Sequence, residues 1–394
     1  MDSKTFVSKY AVDRHNTNSM KWDYLEEVFG QTDLLPLWVA DMEFKAPEQV
    51  IEAMVERSQH GVFGYTFTPE SYYQAFIDWQ KTQHNIHLEK DWIRFSTGVV
   101  ASIYNCITIF TNPGDAVMIA TPVYHPFQHA IKDTKRTLVY TELLNDNGNY
   151  SFDFNDFEAK LTANNVRMFI HCSPHNPVGR VWTKDELATI FTLCRKHGVL
   201  LISDEIHQDI IIGNKPFVSA LTLQQENHYP SVVVLSAPSK TFNLASLLNS
   251  HLIIAEPGLR ERYDEGFKML GESARSVLGQ LATETAYQHG SDWLTGLLAT
   301  IKANYDYICQ TFASDAPNII IAPLEGTYLA WIDLRAYVAP AEIKTFIQDQ
   351  CHLAINYGED FGEKYQGFIR MNLATTPEIV QEATQRIITA IEEK

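Results

Sequence analysis

The chain has 394 residues, of which 45% are hydrophobic and 20% are charged, as in a soluble globular protein large enough for two domains. A formal net charge of −17 without any basic run disfavours a surface that binds nucleic acid. No apolar stretch reaches the ~18 residues of a membrane span, and the N-terminus lacks the apolar core of a secretory signal. We therefore expect a cytoplasmic protein with no membrane partner.

The N-terminal part of the chain predicts few elements before its first clear helices. Residues 1–46 are rich in turn formers, which predicts irregular structure. Helices are predicted over 47–60 and 69–83, because each of these stretches opens with proline at an early helical position. From about residue 92 onward, near-continuous apolar runs alternate with helical segments, at 116–120, 166–170, 199–202, 232–235 and 251–255. Such runs are typical of parallel strands covered by helices on both faces.

The remaining elements suggest a second, smaller unit. The stretch 183–198 opens with a capping-box pattern and ends on glycine, which predicts a helix between two of the strands. Helical sequence near 257–312 precedes strands at 318–322, 327–334 and 367–373, a helix near 340–351 and a terminal helix from Pro377. We predict an α/β fold with a large, mostly parallel-sheet domain over 47–285, and a small α+β domain built from 1–46 and 286–394.

Three of the predicted strands end on groups that can do chemistry. Asp204 follows the run at 199–202, Lys240 follows the run at 232–235, and Asn176 lies in a turn after the run at 166–170. Because ligands of open α/β sheets bind beyond the carboxyl ends of the strands, we expect these side chains to share one site. The five cysteines form no C-x-x-C pair, and neither they nor the histidines show a zinc-ligand spacing, so we expect no metal.

This set of side chains matches the requirements of pyridoxal 5'-phosphate (PLP). Desolvation can bring Lys240 close to neutrality, as imine formation requires. Asp204 can keep the pyridine nitrogen protonated, and Asn176 can donate to the phenolate oxygen. The turn at Gly98 precedes a helix whose free N–H groups can bind a phosphate, and the ring of Tyr124 can stack on the cofactor.

Several motifs resemble the fold-type I PLP enzymes, within them the cystathionine β-lyase (cysteine C–S lyase) branch of the class I/II aminotransferase family. They are Ser-Asp-Glu-Ile-His at 203–207, Cys-Ser-Pro-His-Asn-Pro-Val-Gly-Arg at 172–180 and Ala-Pro-Ser-Lys-Thr-Phe-Asn-Leu-Ala at 237–245. Further matches at 17–23, 37–44, 327–331 and 367–374 extend the resemblance almost end to end. The resemblance implies the PLP-dependent transferase fold and a homodimer.

The resemblance also assigns roles to individual residues. Lys240 would be the Schiff-base lysine and Asp204 the partner of the pyridine nitrogen, with Lys240 and Tyr124 as the catalytic residues. Arg370 would bind the substrate α-carboxylate, for which a bidentate guanidinium is suited. Tyr65 would reach the phosphate of the neighbouring subunit. The other expected cofactor-binding residues are Asn176, Gly98, Val99, Val100 and Ser239.

The function implied by the resemblance is α,β-elimination of L-cystathionine or a related L-cysteine S-conjugate to a thiol, pyruvate and ammonia. Common aminotransferases carry Tyr at the position of His207 and a phosphate-binding Arg at the position of Leu248, and Ser246 replaces a glycine usual in the lyase motif. The first two departures favour the lyase branch. An aminotransferase is the alternative, and a PLP-binding regulatory protein is a second one. The roles of Glu205 and His207 stay open.

Overall fold

A computed structural model describes residues 1–227, 229–271 and 276–394. Its helices are α1 (Ser3–Tyr10), α2 (Met20–Asp23), α3 (Leu25–Phe29), α4 (Glu48–His60), α5 (Glu70–His84), α6 (Val99–Phe110), α7 (Pro126–Asp133), α8 (Phe154–Ala163), α9 (Lys184–His197), α10 (Ala220–Asn227), α11 (Pro238–Thr241), α12 (Pro257–Met269), α13 (Val277–His289), α14 (Ser291–Asp315), α15 (Ile343–Thr345) and α16 (Pro377–Glu392). Residues 272–275 of the helical stretch predicted near 257–312 lie outside the described residues.

The strands belong to three sheets. They are β1 (Leu35–Pro36), β2 (Ile93–Ser96), β3 (Ala116–Thr121), β4 (Thr137–Asp146), β5 (Asn149–Phe152), β6 (Val166–Cys172), β7 (Leu200–Asp204), β8 (Val232–Ser236), β9 (Ser250–Ile253), β10 (Ile320–Ile321), β11 (Leu329–Asp333), β12 (Leu353–Ala354), β13 (Asn356–Tyr357) and β14 (Phe368–Asn372). The five apolar runs that were predicted as strands are all strands, and their ends differ from the predicted ones by at most two residues.

The largest sheet has eight strands in the order β2-β9-β8-β7-β6-β3-β4-β5. The neighbours from β8 to β4 run parallel, whereas β9 is antiparallel to both of its neighbours and β5 forms an antiparallel hairpin with β4. Helices connect the parallel strands. The side chains of β3, β7 and β8, and all but one in β6, are buried on both faces, which explains the near-continuous apolar sequence of these strands, whereas β4 alternates buried and exposed side chains over much of its length. The predicted α/β fold with a large, mostly parallel sheet is confirmed.

A four-stranded antiparallel sheet, in the order β10-β11-β14-β13, forms the smaller unit. The strands and the terminal helix predicted for this region are present, and β13 is a further short strand that the sequence did not reveal. The predicted helix near 340–351 is broken into a 3-10 turn, the single turn α15 and a wider π turn. The assignment of domains to 47–285 and to 1–46 with 286–394 stays a prediction.

The prediction that residues 1–46 are irregular was wrong. Asp2 caps α1 by accepting a hydrogen bond from the backbone N–H of Thr5, and this helix buries Phe6 and Tyr10. The Phe6 ring lies 5.3 Å from that of Trp293 on α14. The turn formers in this segment concealed α1 because its stability comes from packing against a helix almost 300 residues away in sequence.

Among the helices of the described residues, none combines the length and apolarity needed to cross a lipid bilayer.

Candidate active site

A cavity of about 200 Å³ lies at the carboxyl ends of the parallel strands. The register of β7 places Asp204 beside Cys172 of β6 on one side and Leu235 of β8 on the other. The segments that follow these three strand ends therefore surround one space. The lining residues are Ala40, Thr97, Gly98, Val99, Val100, Tyr124, Cys172, Asn176, Asp204, Ile206, His207, Ser239, Lys240 and Ala245.

Lys240 is presented by α11, a single helical turn that begins at Pro238. The next residue, Thr241, donates its hydroxyl to Asp209 Oδ2 at 2.7 Å. Asp209 Oδ1 is also 2.9 Å from Trp79 Nε1 and 2.6 Å from His84 Nε2. A turn as short as α11 has little stability of its own, so this buried carboxylate fixes the direction in which the lysine leaves the backbone.

The amine of Lys240 is held on the cavity wall. Its Nζ donates to the carbonyl oxygen of Ala40 at 2.7 Å, and Tyr328 donates its hydroxyl to the same oxygen at 2.8 Å. Desolvation by the surrounding protein lowers the pKa of Lys240 to about 8, against the opposing influence of Asp41 and Asp204. At pH 7 roughly a tenth of such amines are neutral, compared with about one in 3,000 for an ordinary lysine. Lys240 can therefore act as a nucleophile and as a base.

Asp204 ends β7 with its carboxyl group in the same cavity. Burial raises the pKa of Asp204 to about 7, although Oδ1 accepts a hydrogen bond from the Ile206 N–H at 3.1 Å and Lys240 is nearby. Because burial disfavours the charged form of Asp204, any ligand that brings a positively charged N–H group to this carboxylate stabilises it.

The N-terminus of α6 forms another wall of the cavity. Gly98 caps this 12-residue helix in an extended conformation, and Val99 and Val100 are its first two residues. The leading N–H groups of a helix have no partner within it, and the helix dipole adds partial positive charge there. This wall therefore offers donors to an anion, and Ser239 adds a hydroxyl to the same cavity.

Arg370 lies on β14 and is 3% exposed. Its Nη1 donates to Asn176 Oδ1 at 3.1 Å, and its Nη2 donates to the carbonyl of Trp38 at 2.9 Å and to Asn356 Oδ1 at 2.5 Å. The guanidinium carbon is 5.0 Å from the centre of the Phe361 ring. Burial lowers the pKa of Arg370 to about 10. These hydrogen-bond acceptors are all neutral, so the positive charge of Arg370 is available to an anionic ligand.

Of the ten residues predicted for the site, eight line the cavity, and Arg370 reaches it through its hydrogen bond to Asn176. Tyr65 does not line it: the side chain is fully exposed, together with the neighbouring side chains of Val62, Phe63 and Phe67. His207 lines the cavity, and burial holds its pKa well below the ordinary value. His207 is therefore a neutral side chain in the wall of the cavity.

Sequence reasoning missed several neighbours of the functional groups. Ala40, Cys172 and Ile206 line the cavity, and Trp38 and Asn356 bind the predicted arginine. The motif at 37–44 signalled that this N-terminal segment matters. The contact of Ala40 with a lysine 200 residues later depends on the fold and has no local sequence signal.

Comparisons with known proteins identify the family of the chain and its similar structures. The family model described as aminotransferase class I and II matches residues 32–387. The chain is 36% identical over 383 residues to cystathionine beta-lyase PatB of Bacillus subtilis, covering 96% of this chain and 98% of PatB. It is 33% identical to protein MalY of Escherichia coli, covering 96% and 97% of the two chains. The crystal structure of cystalysin from Treponema denticola, which contains a pyridoxal 5'-phosphate cofactor, superposes with a TM-score of 0.93 at 36% identity, covering 97% and 98%.

Proposed function

The chain belongs to the aminotransferase class I and II family, and from this premise we propose that it is a PLP-dependent carbon–sulfur β-lyase. Its reaction is the α,β-elimination of L-cystathionine or a related L-cysteine S-conjugate to a thiol, pyruvate and ammonia. The observation that carries this function is a single cavity in which Lys240, Asp204 and a helix N-terminus meet. Full-length similarity to a cystathionine beta-lyase at 36% identity supports the lyase rather than the aminotransferase reaction.

The residues of the cavity fit PLP. A lysine with its pKa lowered to about 8 can attach to the aldehyde, and a buried carboxyl group with its pKa raised to about 7 can pair with a protonated pyridine nitrogen. The first turn of α6 and Ser239 offer neutral donors to the phosphate. Asn176 supplies an amide to the phenolate oxygen, and Tyr124 supplies an aromatic face.

When bound, PLP supplies an electrophilic carbon for the substrate amine and a conjugated ring that takes up electrons from the substrate Cα. Asp204 increases that capacity, because its negative charge keeps the ring nitrogen protonated. Arg370 binds the substrate α-carboxylate through a bidentate guanidinium contact and so orients the Cα–H bond.

Lys240 moves the proton of the reaction. With substrate and PLP bound, the neutral amine of Lys240 would remove the Cα proton as general base. The resulting ammonium is within reach of the Ala40 carbonyl, which lies 2.7 Å from Nζ in this structure. The bond from Cβ to sulfur breaks with its electron pair on sulfur, and the departing thiolate takes up the proton held by the Lys240 ammonium. Hydrolysis of the remaining three-carbon fragment gives pyruvate and ammonia.

One assay separates the lyase from the alternatives. The PLP-loaded protein is incubated with L-cystathionine while pyruvate and free thiol are measured, and we expect the two products in equal amounts. Keto-acid-dependent conversion of the cofactor to its amine form, without pyruvate, would identify an aminotransferase instead. Full PLP occupancy without turnover of any amino acid would identify a regulatory protein.

The pH dependence of cofactor attachment gives an independent expectation. Attachment requires neutral Lys240, whose pKa is lowered to about 8. The rate of PLP capture by the cofactor-free protein should therefore rise about tenfold per pH unit below pH 8 and become level above it. Stopped-flow absorbance measures this rate, with Nα-acetyl-lysine as the reference amine, whose rate keeps rising toward pH 10. A protein rate that also kept rising between pH 9 and pH 10 would contradict a desolvated lysine.

A homodimer is the final element of the proposal. The exposed apolar side chains around Tyr65 support it, because a monomer would leave this patch in water. In the dimer Tyr65 would donate its hydroxyl to the phosphate in the partner's site. We expect sedimentation of a dimer, and a loss of PLP affinity of about tenfold in Tyr65→Phe without dissociation. Tyr24→Phe, at another exposed tyrosine, is the control; a monomeric protein or unchanged PLP affinity in Tyr65→Phe would count against the shared site.

A further inference from the structure

Arg370 is a buried cation without a carboxylate partner in the described ranges of the chain. Its three hydrogen-bond acceptors are the Trp38 carbonyl and the side-chain oxygens of Asn176 and Asn356. Asp360 acts on this guanidinium electrostatically but forms no ion pair with it. Burying a guanidinium without an ion-pair partner opposes folding, and a carboxylate in direct contact usually offsets that cost. Because no carboxylate contacts Arg370 in the described ranges, its positive charge stays available for a ligand.

Asn356 is placed to hold this guanidinium. It lies on β13 directly opposite Arg370 of β14 in an antiparallel register. Side chains at directly opposite positions of such a pair have Cβ atoms about 5 Å apart, so a short amide reaches the arginine without strain. Its Oδ1 accepts from Arg370 Nη2 at 2.5 Å. Asn176 also lines the cavity and has a proposed contact with the cofactor, which leaves Asn356 as the acceptor side chain concerned with the arginine alone.

Some N–H groups of Arg370 form no hydrogen bond within the described residues and can donate to a ligand. Its Nε is buried and has no hydrogen-bond partner among the described residues, and Nη1 has one hydrogen bond to Asn176 for its two hydrogens. The Phe361 ring, 5.0 Å from the guanidinium carbon, limits how the group can rotate. The fork is therefore oriented by Asn356, Trp38 and Phe361 while part of its donor set is unused.

We propose that Asn356 is a positioning and specificity-determining residue, which orients Arg370 through a neutral acceptor and thereby reserves its charge for the substrate α-carboxylate. This inference rests on the proposed function, in which Arg370 binds that carboxylate. An aspartate has nearly the same shape and would orient Arg370 equally well. It would also pair with the guanidinium permanently, and the substrate carboxylate would then meet a neutral pair and an added negative charge.

The test replaces the side-chain amide nitrogen of Asn356 by an oxygen and thereby adds one negative charge. PLP-loaded wild type and Asn356→Asp are titrated with L-alanine and with L-alaninamide, which lacks the carboxylate, and the change in cofactor absorbance reports binding. We expect the wild type to prefer L-alanine. In Asn356→Asp the affinity for L-alanine should fall about 10- to 100-fold, while that for L-alaninamide stays within about threefold. The melting temperature of the variant should be at or above that of the wild type, because a buried cation gains a partner.

Two further variants complete the experiment. Asn318→Asp adds the same charge at an exposed position and should bind both ligands as the wild type does. Asn356→Ser keeps a neutral acceptor at the site, and the preference for L-alanine should persist, so this variant tests the proposal even if Asn356→Asp does not fold. An unchanged preference in Asn356→Asp, or a loss of preference in Asn356→Ser equal to that in Asn356→Asp, would overturn it. Neither ligand has a leaving group on Cβ, so failure of the elimination assay would refute the proposed function and leave this result intact.

Discussion

Replacement of Lys240 by alanine is expected to reduce pyruvate formation from L-cystathionine by about 10³-fold or more. General acid–base catalysis alone is worth roughly 10²–10⁴-fold, and Lys240 also provides the covalent attachment of the cofactor. The structure supports both roles, since desolvation lowers the pKa of Lys240 to about 8 and the residue lines the cavity with Asp204. The measurement is the rate of pyruvate and thiol release by the PLP-saturated variant.

The control for this prediction is Lys302→Ala. Lys302 forms an exposed ion pair with Asp306 on α14, neither residue lines the cavity, and the loss of Lys302 should leave turnover within about twofold of wild type. Circular dichroism of Lys240→Ala should match that of the cofactor-free wild type, because the Ala40 carbonyl keeps its hydrogen bond from Tyr328 when the lysine amine is removed. Turnover within tenfold of wild type in Lys240→Ala would exclude it as the base and as the attachment site.

Asp204→Asn is expected to have two effects of opposite sign. In the PLP-loaded enzyme kcat should fall about 10²- to 10³-fold, because a neutral amide cannot stabilise a protonated ring nitrogen as a carboxylate does. In the cofactor-free protein the same change should raise the free energy of unfolding above pH 7. The amide still accepts the Ile206 N–H, which is 3.1 Å from Asp204 Oδ1, and the cost of a buried charge disappears.

The pH dependence of that second effect follows from the raised pKa of Asp204, about 7 in the folded protein against 3.8 as its ordinary value. The buried carboxyl group favours folding only while it is protonated. Its contribution to the free energy of unfolding is therefore complete below the unfolded pKa and is lost as the pH rises toward 7. The advantage of Asp204→Asn should therefore be absent near pH 3, grow through pH 4–7 and level off above it, at up to about 4 kcal/mol.

Urea unfolding of the two cofactor-free proteins between pH 5 and pH 8 measures the effect. Asp306→Asn, at an exposed carboxylate on α14, should show no such pH-dependent gain. Equal activity of Asp204→Asn would exclude Asp204 as the partner of the ring nitrogen, and lower stability than wild type at pH 8 would contradict a buried acid with a raised pKa.

Local patterns predicted β3 and β6 to β9 well, because strands buried on both faces must be apolar throughout, whereas the partly exposed hairpin of β4 and β5 was not predicted. The capping box at Thr183 and Glu186 is formed, and α9 ends before Gly198 in the left-handed conformation. Elements stabilised by distant contacts escaped prediction: α1 depends on packing against α14, and β13 has two residues and exists through its pairing with β14.

By itself, the sequence determined the α/β fold class and the chemical groups of the site, because the first depends on the pattern of apolar runs and helical segments and the second on residue types at strand ends. The identities of Lys240, Asp204 and Asn176 could be predicted from short motifs that follow apolar runs. Only the tertiary structure decided how these groups behave. The lowered pKa of Lys240, the raised pKa of Asp204 and the neutral hydrogen-bond acceptors of Arg370 arise from burial and from segments such as 38–40, which are remote in sequence. Desolvation depends on all the atoms around a group, and most of those atoms belong to parts of the chain that only folding brings together.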